Sequence, residues 1–186
     1  MSQNDCLMFK RNTGYQQTEL FGFDDKLTKK QTLYLHNSTE FTFFKEVFYK
    51  IDESLFAPLF SSTKSRPNAP INQLVGSLIL KHLYDWTYSE LFKNLTFNGL
   101  TRYAIGIKDA NIDVFSEATI FNFQNRVINY YEQTGRDLVT EVFDKLTAGY
   151  LNQFKVISNR QRGDSFLVDS KVIDYSRLRL FVEVLK

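Results

Sequence analysis

The strongest hydrophobic pattern along the chain runs from Pro70 to Tyr84. Apolar side chains recur there at helical spacing, and Leu80 and Tyr84 lie on the opposite side, so the segment predicts a helix that is buried nearly all round. Pro70 suits the first position of a helix, where a backbone N–H has no helical partner. The main face of this helix consists of Ile71, Leu74, Val75, Leu78, Ile79 and His82.

A second helix is predicted a few residues later. Asp85 and Trp86 interrupt the first pattern, and Thr87 stands three residues before Glu90, which is the spacing of a capping box. Asn98-Gly99 predicts the end of this helix, because both residues tolerate the left-handed conformation. Its apolar stripe consists of Tyr88, Leu91, Phe92 and Leu95. In a helix-turn-helix such a second helix enters the major groove of DNA, but an ordinary helical hairpin has the same spacing.

Helical periodicity continues on both sides of this pair. Helices are predicted after Ser38 and after Ser116, and a last one follows Gly135 and ends near Gly149. A short helix over Asp52 to Phe60 and a linker over Ser61 to Pro70 complete the pattern. The expected inward residues of the helix after Ser116 are Ile120, Phe123, Val127, Tyr130 and Tyr131.

The far side of the helix after Ser116 is polar. Asn122, Asn125, Arg126 and Asn129 are expected to cluster there. Asn and Arg are the side chains that read adenine and guanine edges, although they are also common on any solvated helix face.

The character of the chain changes after Arg162. Residues that favour β-structure follow Gly163 and alternate with aspartates, which predicts one strand and then a helix from about Ser176. The sequence given stops at Lys186 inside an apolar stretch that has no helix stop signal. This pattern is typical of a truncated chain.

Composition supports a mainly α-helical domain. Among the 186 residues there are 18 Phe and 10 Tyr, whereas 8 Gly and 3 Pro are too few for a sandwich or barrel with many tight turns. A single cysteine and two histidines exclude a disulfide framework and a Cys- or His-rich metal site. No apolar run has the length of a membrane span and no signal peptide is present, so we expect a cytoplasmic (bacterial) location and no membrane partner.

The net charge of +2 is unevenly distributed. From Lys155 onward the chain has seven basic and four acidic residues, so the whole basic excess lies at the C-terminal end. This excess predicts a weak attraction for phosphate there.

Several of these segments together resemble the N-terminal domain of InsH-like transposases from bacterial insertion sequences. The first is the apolar helix from Pro70 to Lys81, followed by Trp86-Thr87-Tyr88-Ser89-Glu90-Leu91. The next is the Arg-Tyr-x-x-Gly-Ile segment from Arg102 to Ile107. The last is the spaced set Ser116, Thr119, Phe123 and Arg126.

The C-terminal part resembles the entry to the catalytic domain of the same family. Its motifs are Arg162-Gly163-Asp164-Ser165 and the stretch from Arg177 to Leu185. The resemblance implies an RNase H-like fold and DDE chemistry, in which two Asp and one Glu bind two divalent metals, Mg²⁺ or Mn²⁺. Asp164 would be the first carboxylate because it precedes Arg177 by 13 residues, with Asp169 as the alternative. The second Asp and the Glu are not in this chain, so we expect it to be inactive by itself and to need no cofactor.

We expect the chain to consist of an irregular segment (1–37), a helical DNA-binding domain (38–155) and a truncated start of the catalytic domain (156–186). The domain is expected to be a helical bundle that contains the helix-turn-helix-like unit. It would bind the terminal inverted repeats of an insertion sequence during DNA transposition, and the C-terminal tail would support self-association. The expected DNA contacts are Thr87, Lys93, Arg102, Arg126, Arg160 and Arg162. The alternative is a helical protein-interaction module without affinity for DNA.

Overall fold

The computed structural model describes residues 8–16, 26–61, 66–109 and 112–154. These ranges are mainly helical, which confirms the predicted fold class. The α-helices are α1 (Lys29–His36), α2 (Thr39–Glu46), α3 (Ile71–Leu83), α4 (Tyr88–Phe97), α5 (Gly99–Ala104), α6 (Glu117–Thr134) and α7 (Leu138–Phe154). Short 3-10 helices span Gly14–Gln16, Phe48–Lys50 and Glu53–Leu59. The predicted strand after Gly163 and the helix from Ser176 lie outside the described residues.

Helix α3 lies in the centre of the core. Nearly every side of it is buried, as its pattern predicts, although Leu78 is half-buried and His82 is exposed. Gly76 allows the 3-10 helix at Phe48 to come close, because a Cβ at this position would lie 3.3 Å from the Phe48 ring. On the other side of the core, the ring of Phe56 packs against that of Phe123 of α6, with centroids 5.4 Å apart.

The turn between α3 and α4 has the predicted form. Asp85 adopts a left-handed backbone conformation (φ 54°), which reverses the chain over very few residues. The capping box that follows is complete: the Glu90 amide donates to Thr87 Oγ1 at 3.3 Å, and the Thr87 amide donates to Glu90 Oε2 at 2.8 Å. Leu91 and Leu95 then face the core and are fully buried.

Helix α4 ends at Phe97, just before Asn98-Gly99 as predicted, but not through the left-handed conformation that was expected there. Asn98 has an extended conformation (φ −96°) and does not terminate α4 in the left-handed region. Its Oδ1 instead accepts from the amides of Leu100 and Thr101 and caps α5, a short helix that the hydrophobic pattern missed. The pattern also missed α1, so the expectation of an irregular chain as far as residue 37 is wrong over Lys29–His36.

The last two helices follow the pattern with two exceptions. Gly135 ends α6 in the left-handed conformation (φ 70°), and α7 begins after it. Leu138, Val142, Phe143 and Leu146 of α7 are buried, as predicted. Tyr131, expected to face inward, is 52% exposed. Helix α7 continues past Gly149 to Phe154. No helix in the described part of the chain is long and apolar enough to cross a membrane.

Candidate nucleic-acid interface

Two of the predicted DNA contacts lie on the exposed side of the α3–α4 pair. Lys93 is exposed on α4, and on the same side Phe97 is 83% exposed. Thr87 is also exposed, but its hydroxyl and amide both bind Glu90 in the capping box. This surface, which we call the α4 face, therefore offers one cation and a large apolar side chain.

The opposite side of α4 is fixed against α6. Tyr88 Oη donates to Gln124 Oε1 at 3.0 Å, and the Tyr88 ring lies 4.8 Å from that of Phe121. The Lys81 ammonium lies 4.8 Å from the centre of the Tyr88 ring. Packing on α6 thus holds α4 with its Lys93 side directed away from the core.

Arg102 does not belong to a DNA-binding surface. It is only 7% exposed, and its guanidinium donates to three backbone carbonyls: Leu95 O at 3.0 Å, Asp109 O at 2.8 Å and Ile112 O at 2.7 Å. These bonds tie the end of α4 to the loop before α6. The prediction that Arg102 contacts phosphate is therefore wrong for this fold, because its donors already satisfy buried carbonyls.

The rest of the Arg-Tyr-x-x-Gly-Ile segment is structural as well. Tyr103 is buried, with its ring 5.2 Å from that of Phe44. Gly106 has a φ of 74°, and a Cβ there would lie 2.7 Å from the Phe48 ring and 2.8 Å from Tyr15 Cβ. Only glycine fits both the conformation and the space. The motif therefore maintains the fold around α5.

Arg126 lies in a different place from the other predicted contacts. The sequence placed it on the solvated side of α6, but it is half-buried and donates from Nη1 to Leu59 O at 3.2 Å. Its guanidinium also lies 5.7 Å from the centre of the Phe60 ring. Arg126 thereby forms part of the wall of a groove.

This groove has a volume of about 760 Å³ and lies between residues 66–69 and one side of α6. It is lined mainly by polar and aromatic groups, with two arginines and no Asp or Glu among the described lining residues. Those that matter here are Phe60, Arg66, Asn68, Ser116, Asn122 and Arg126. We call it the α6 groove.

Residues 8–13, which we call the strap, lie against residues 66–68 beside the α6 groove. The Met8 amide donates to Arg66 O at 3.0 Å, and the Asn68 amide donates to Met8 O at 3.1 Å. Lys10 and Arg11 of the strap line a neighbouring depression of about 380 Å³, which shares Pro67 and Asn68 with the groove. Lys10, Arg11 and Arg66 therefore join Arg126 along one strip of surface.

A buried polar cluster holds the strap in position. The Glu53 carboxylate accepts from the backbone N–H of Asn12 at 2.7 Å and from the backbone N–H of Asn72 at 2.9 Å. The side chains of the two asparagines also bind each other, since Asn12 Nδ2 donates to Asn72 Oδ1 at 3.0 Å. Burial raises the pKa of Glu53, and the two amide donors partly offset that effect. The cluster joins three segments that are distant in the sequence.

The remaining predicted site residues lie outside the described residues. These are Arg160, Arg162, Asp164 and Asp169. Within the described ranges, no group of three or more His, Cys, Asp or Glu could hold a metal ion. The expectations about DDE chemistry and its metals therefore remain predictions.

Sequence reasoning missed Lys10, Arg11 and Arg66. Their only local signals are the Lys10-Arg11 pair and the basic residues of the segment predicted as a linker. Neither signal indicates that the two segments meet, because the contact depends on backbone pairing between residues almost sixty positions apart.

These features define a mainly helical domain that carries exposed cations on two separate surfaces. The chain belongs to the transposase domain family DUF772, which matches residues 23–126, more than half of its length. No curated protein and no solved structure matches the chain. The resemblance to transposases is thus confirmed at the level of this family, and a transposase-related role follows from it.

Proposed function

We propose that this domain binds the DNA ends of an insertion sequence for transposition, with α4 directed at the major groove. The observation that carries the proposal is the exposed α4 face in a chain of a transposase family. A helix 10 residues long, capped at its start and packed on one side only, is suited to entering a groove that admits one helix.

Binding through this face would be modest in affinity. Lys93 is its single Lys or Arg, and each phosphate contact contributes little alone. Phe97 adds apolar area next to that charge, which suits contact with thymine methyl groups. Sequence choice would thus come from the residues around Lys93 and Phe97.

The chemistry of transposition is a further part of the proposal. By resemblance, Asp164, or Asp169 in its place, would be one of the metal-binding carboxylates of a DDE site that uses Mg²⁺ or Mn²⁺. Hard oxygen ligands suit these ions.

The experiment is a binding titration of the purified chain with two short duplexes across a salt series. One duplex carries DNA that flanks the gene, and the other has the same composition in scrambled order. We expect the affinity to fall steeply with salt, to be higher for the flanking DNA, and to decrease in Lys93→Ala and Phe97→Ala variants.

A chain that binds neither duplex at low salt would contradict the proposal. It would favour the alternative of a protein-interaction module, which has some support in the exposed apolar side chains of α6. Ile128 and Tyr131 are each 52% exposed there.

A further inference from the structure

We propose that the strip formed by the strap and the α6 groove is a second DNA contact, which holds a stretch of phosphate backbone independently of the α4 face. The inference rests on the proposed function, because it concerns the same partner. It assigns a role to Lys10, Arg11 and Arg66, which the sequence did not single out.

The charge of the strip is the first argument. Lys10, Arg11, Arg66 and Arg126 line its two connected parts, and no Asp or Glu among the described residues lines either part. In a chain with a net charge of only +2, this is a marked local excess of positive charge. A polyanion is the partner that such a strip attracts.

The accessibility of these cations is the second argument. Lys10, Arg11 and Arg66 are exposed, and none of them is within ion-pair distance of a carboxylate in the described part of the chain. Arg11 is nevertheless close enough to the buried Glu53 to lower the pKa of that carboxyl, so its charge is partly balanced, whereas no such effect involves Lys10 or Arg66. Arg126 differs, since it already binds Leu59 O, so it contributes a fixed charge to the wall. The three exposed cations would make the contacts.

The rigidity of the strap is the third argument. Its backbone pairs with Arg66 and Asn68, and Asn12 is bound by both Glu53 and Asn72. Burying the Glu53 carboxylate together with the polar groups of Asn12 and Asn72 costs free energy unless these groups bind each other. Their hydrogen bonds therefore fix the position of the strap. Lys10 and Arg11 are therefore held beside the groove before any partner arrives, which lowers the entropy cost of binding.

The polar lining is the fourth argument. The exposed hydroxyl of Ser116 and amide of Asn122 line the groove, and such groups commonly donate to phosphate oxygens. Backbone contacts of this kind position the protein on DNA and carry no sequence information. The strip should thus raise affinity for all duplexes equally.

The strip and α4 lie against different sides of α6. Asn122 and Arg126 line the groove, whereas Phe121 and Gln124 contact Tyr88 of α4. The two surfaces can therefore be altered separately.

The test compares the full chain with a Lys10→Ala/Arg11→Ala/Arg66→Ala variant on both duplexes across the salt series. Each lost phosphate contact should reduce the slope of log affinity against log salt by about 0.9, so we expect a decrease of about 2 to 3. The decrease should be the same for flanking and scrambled DNA. A Phe97→Ala variant, which removes the apolar contact of the α4 face, should instead change the ratio between the two duplexes.

The matched control is Lys29→Ala/Lys30→Ala/Lys45→Ala, which removes three exposed cations that line neither part of the strip. It changes the net charge by the same amount and should keep a slope closer to that of the parent chain. Equal slopes in the two triple variants would overturn the inference and leave the proposed function standing. Failure of the parent chain to bind any duplex would overturn both.

Discussion

At the residue scale, the difference between exposed and buried arginines determines the functional interpretation. Arg66 is exposed beside a groove, whereas Arg102 is buried with its donors on three carbonyls. Both look alike in the sequence, as basic residues near predicted turns. The two roles can be told apart only by burial. A buried guanidinium whose desolvation is offset by hydrogen bonds to carbonyls has a structural role, whereas an exposed one can bind a partner.

Gly106 and Gly135 both have a left-handed backbone conformation, but substitutions at the two positions should differ in their effect on stability. Gly106→Ala should destabilise the domain more than Gly135→Ala, by about 1 kcal/mol or more. Both variants suffer the strain of a positive φ, about 1 kcal/mol for a non-glycine residue, but only the new Cβ at 106 collides with Phe48 and Tyr15. At 135 nothing lies within 4 Å.

The measurement is urea unfolding of both variants and the parent chain. The Gly135 variant is the control, because it isolates the cost of backbone strain. Equal losses in the two variants would contradict the close packing around Gly106.

At the scale of elements, the Asp52–Lys145 pair connects α7 to the 3-10 helix Glu53–Leu59. Lys145 Nζ lies 2.8 Å from Asp52 Oδ2, and its hydrogen bond, together with one from Ser54, lowers the pKa of Asp52 to about 2. Because the pKa of Asp52 in the folded protein lies below its ordinary value of 3.8, the stabilisation is present above pH 3.8 and is lost as the pH falls towards 2.

Lys145→Ala should therefore reduce the free energy of unfolding by up to about 1 kcal/mol at neutral pH, a modest amount because both side chains are partly exposed. The difference from the parent chain should shrink as the pH falls from about 4 towards 2. Unfolding curves measured across this pH range test the prediction. Lys50→Ala, which removes a local pair with Glu46, is the control.

The elements that the sequence predicted well are those with strong local signals. Helix α4 has a complete capping box and an apolar stripe, and both lie within a few residues of each other. Helix α5 is only 6 residues long, and its start uses Asn98, which also suits the end of the preceding helix. A residue that can cap either end is ambiguous until tertiary contacts, here the burial of Tyr103 and Ala104, decide.

At the scale of the whole molecule, the strip could not be predicted, because it combines the strap, residues 66–69 and α6. No periodicity connects segments so far apart in the chain. The composition even placed the basic excess elsewhere, after Lys155. The α4 face, in contrast, follows directly from one helix and its stripe.

The cluster around Glu53 should couple the strap to the rest of the domain. In Glu53→Ala two amide donors lose their acceptor, so we expect a loss of about 2 to 4 kcal/mol in stability. Glu53→Gln should lose less, because one oxygen still accepts while the new NH₂ faces the other amide. The Gln variant removes the buried charge and is the matched control.

The pH dependence of these variants provides an independent test. Because burial raises the folded pKa of Glu53, its contribution is fullest below pH 4.5 and is lost as the pH rises through the folded pKa. The deficit of Glu53→Gln relative to the parent chain should thus decrease between pH 4 and neutrality, as measured by urea unfolding. A deficit that grows over this range would contradict the proposed cost of the buried carboxylate.

The aromatic pair at the α3–α4 turn gives the protein a built-in optical reporter. Trp86 is the single tryptophan of the chain, and its ring stacks on Tyr84 at 4.7 Å just before α4 begins. Its emission therefore reports on the surroundings of this turn alone. DNA that engages the α4 face would alter the fluorescence, whereas DNA held only by the strip, on the other side of α6, would leave it almost unchanged. An unlabelled chain can thus distinguish the two modes of contact in solution.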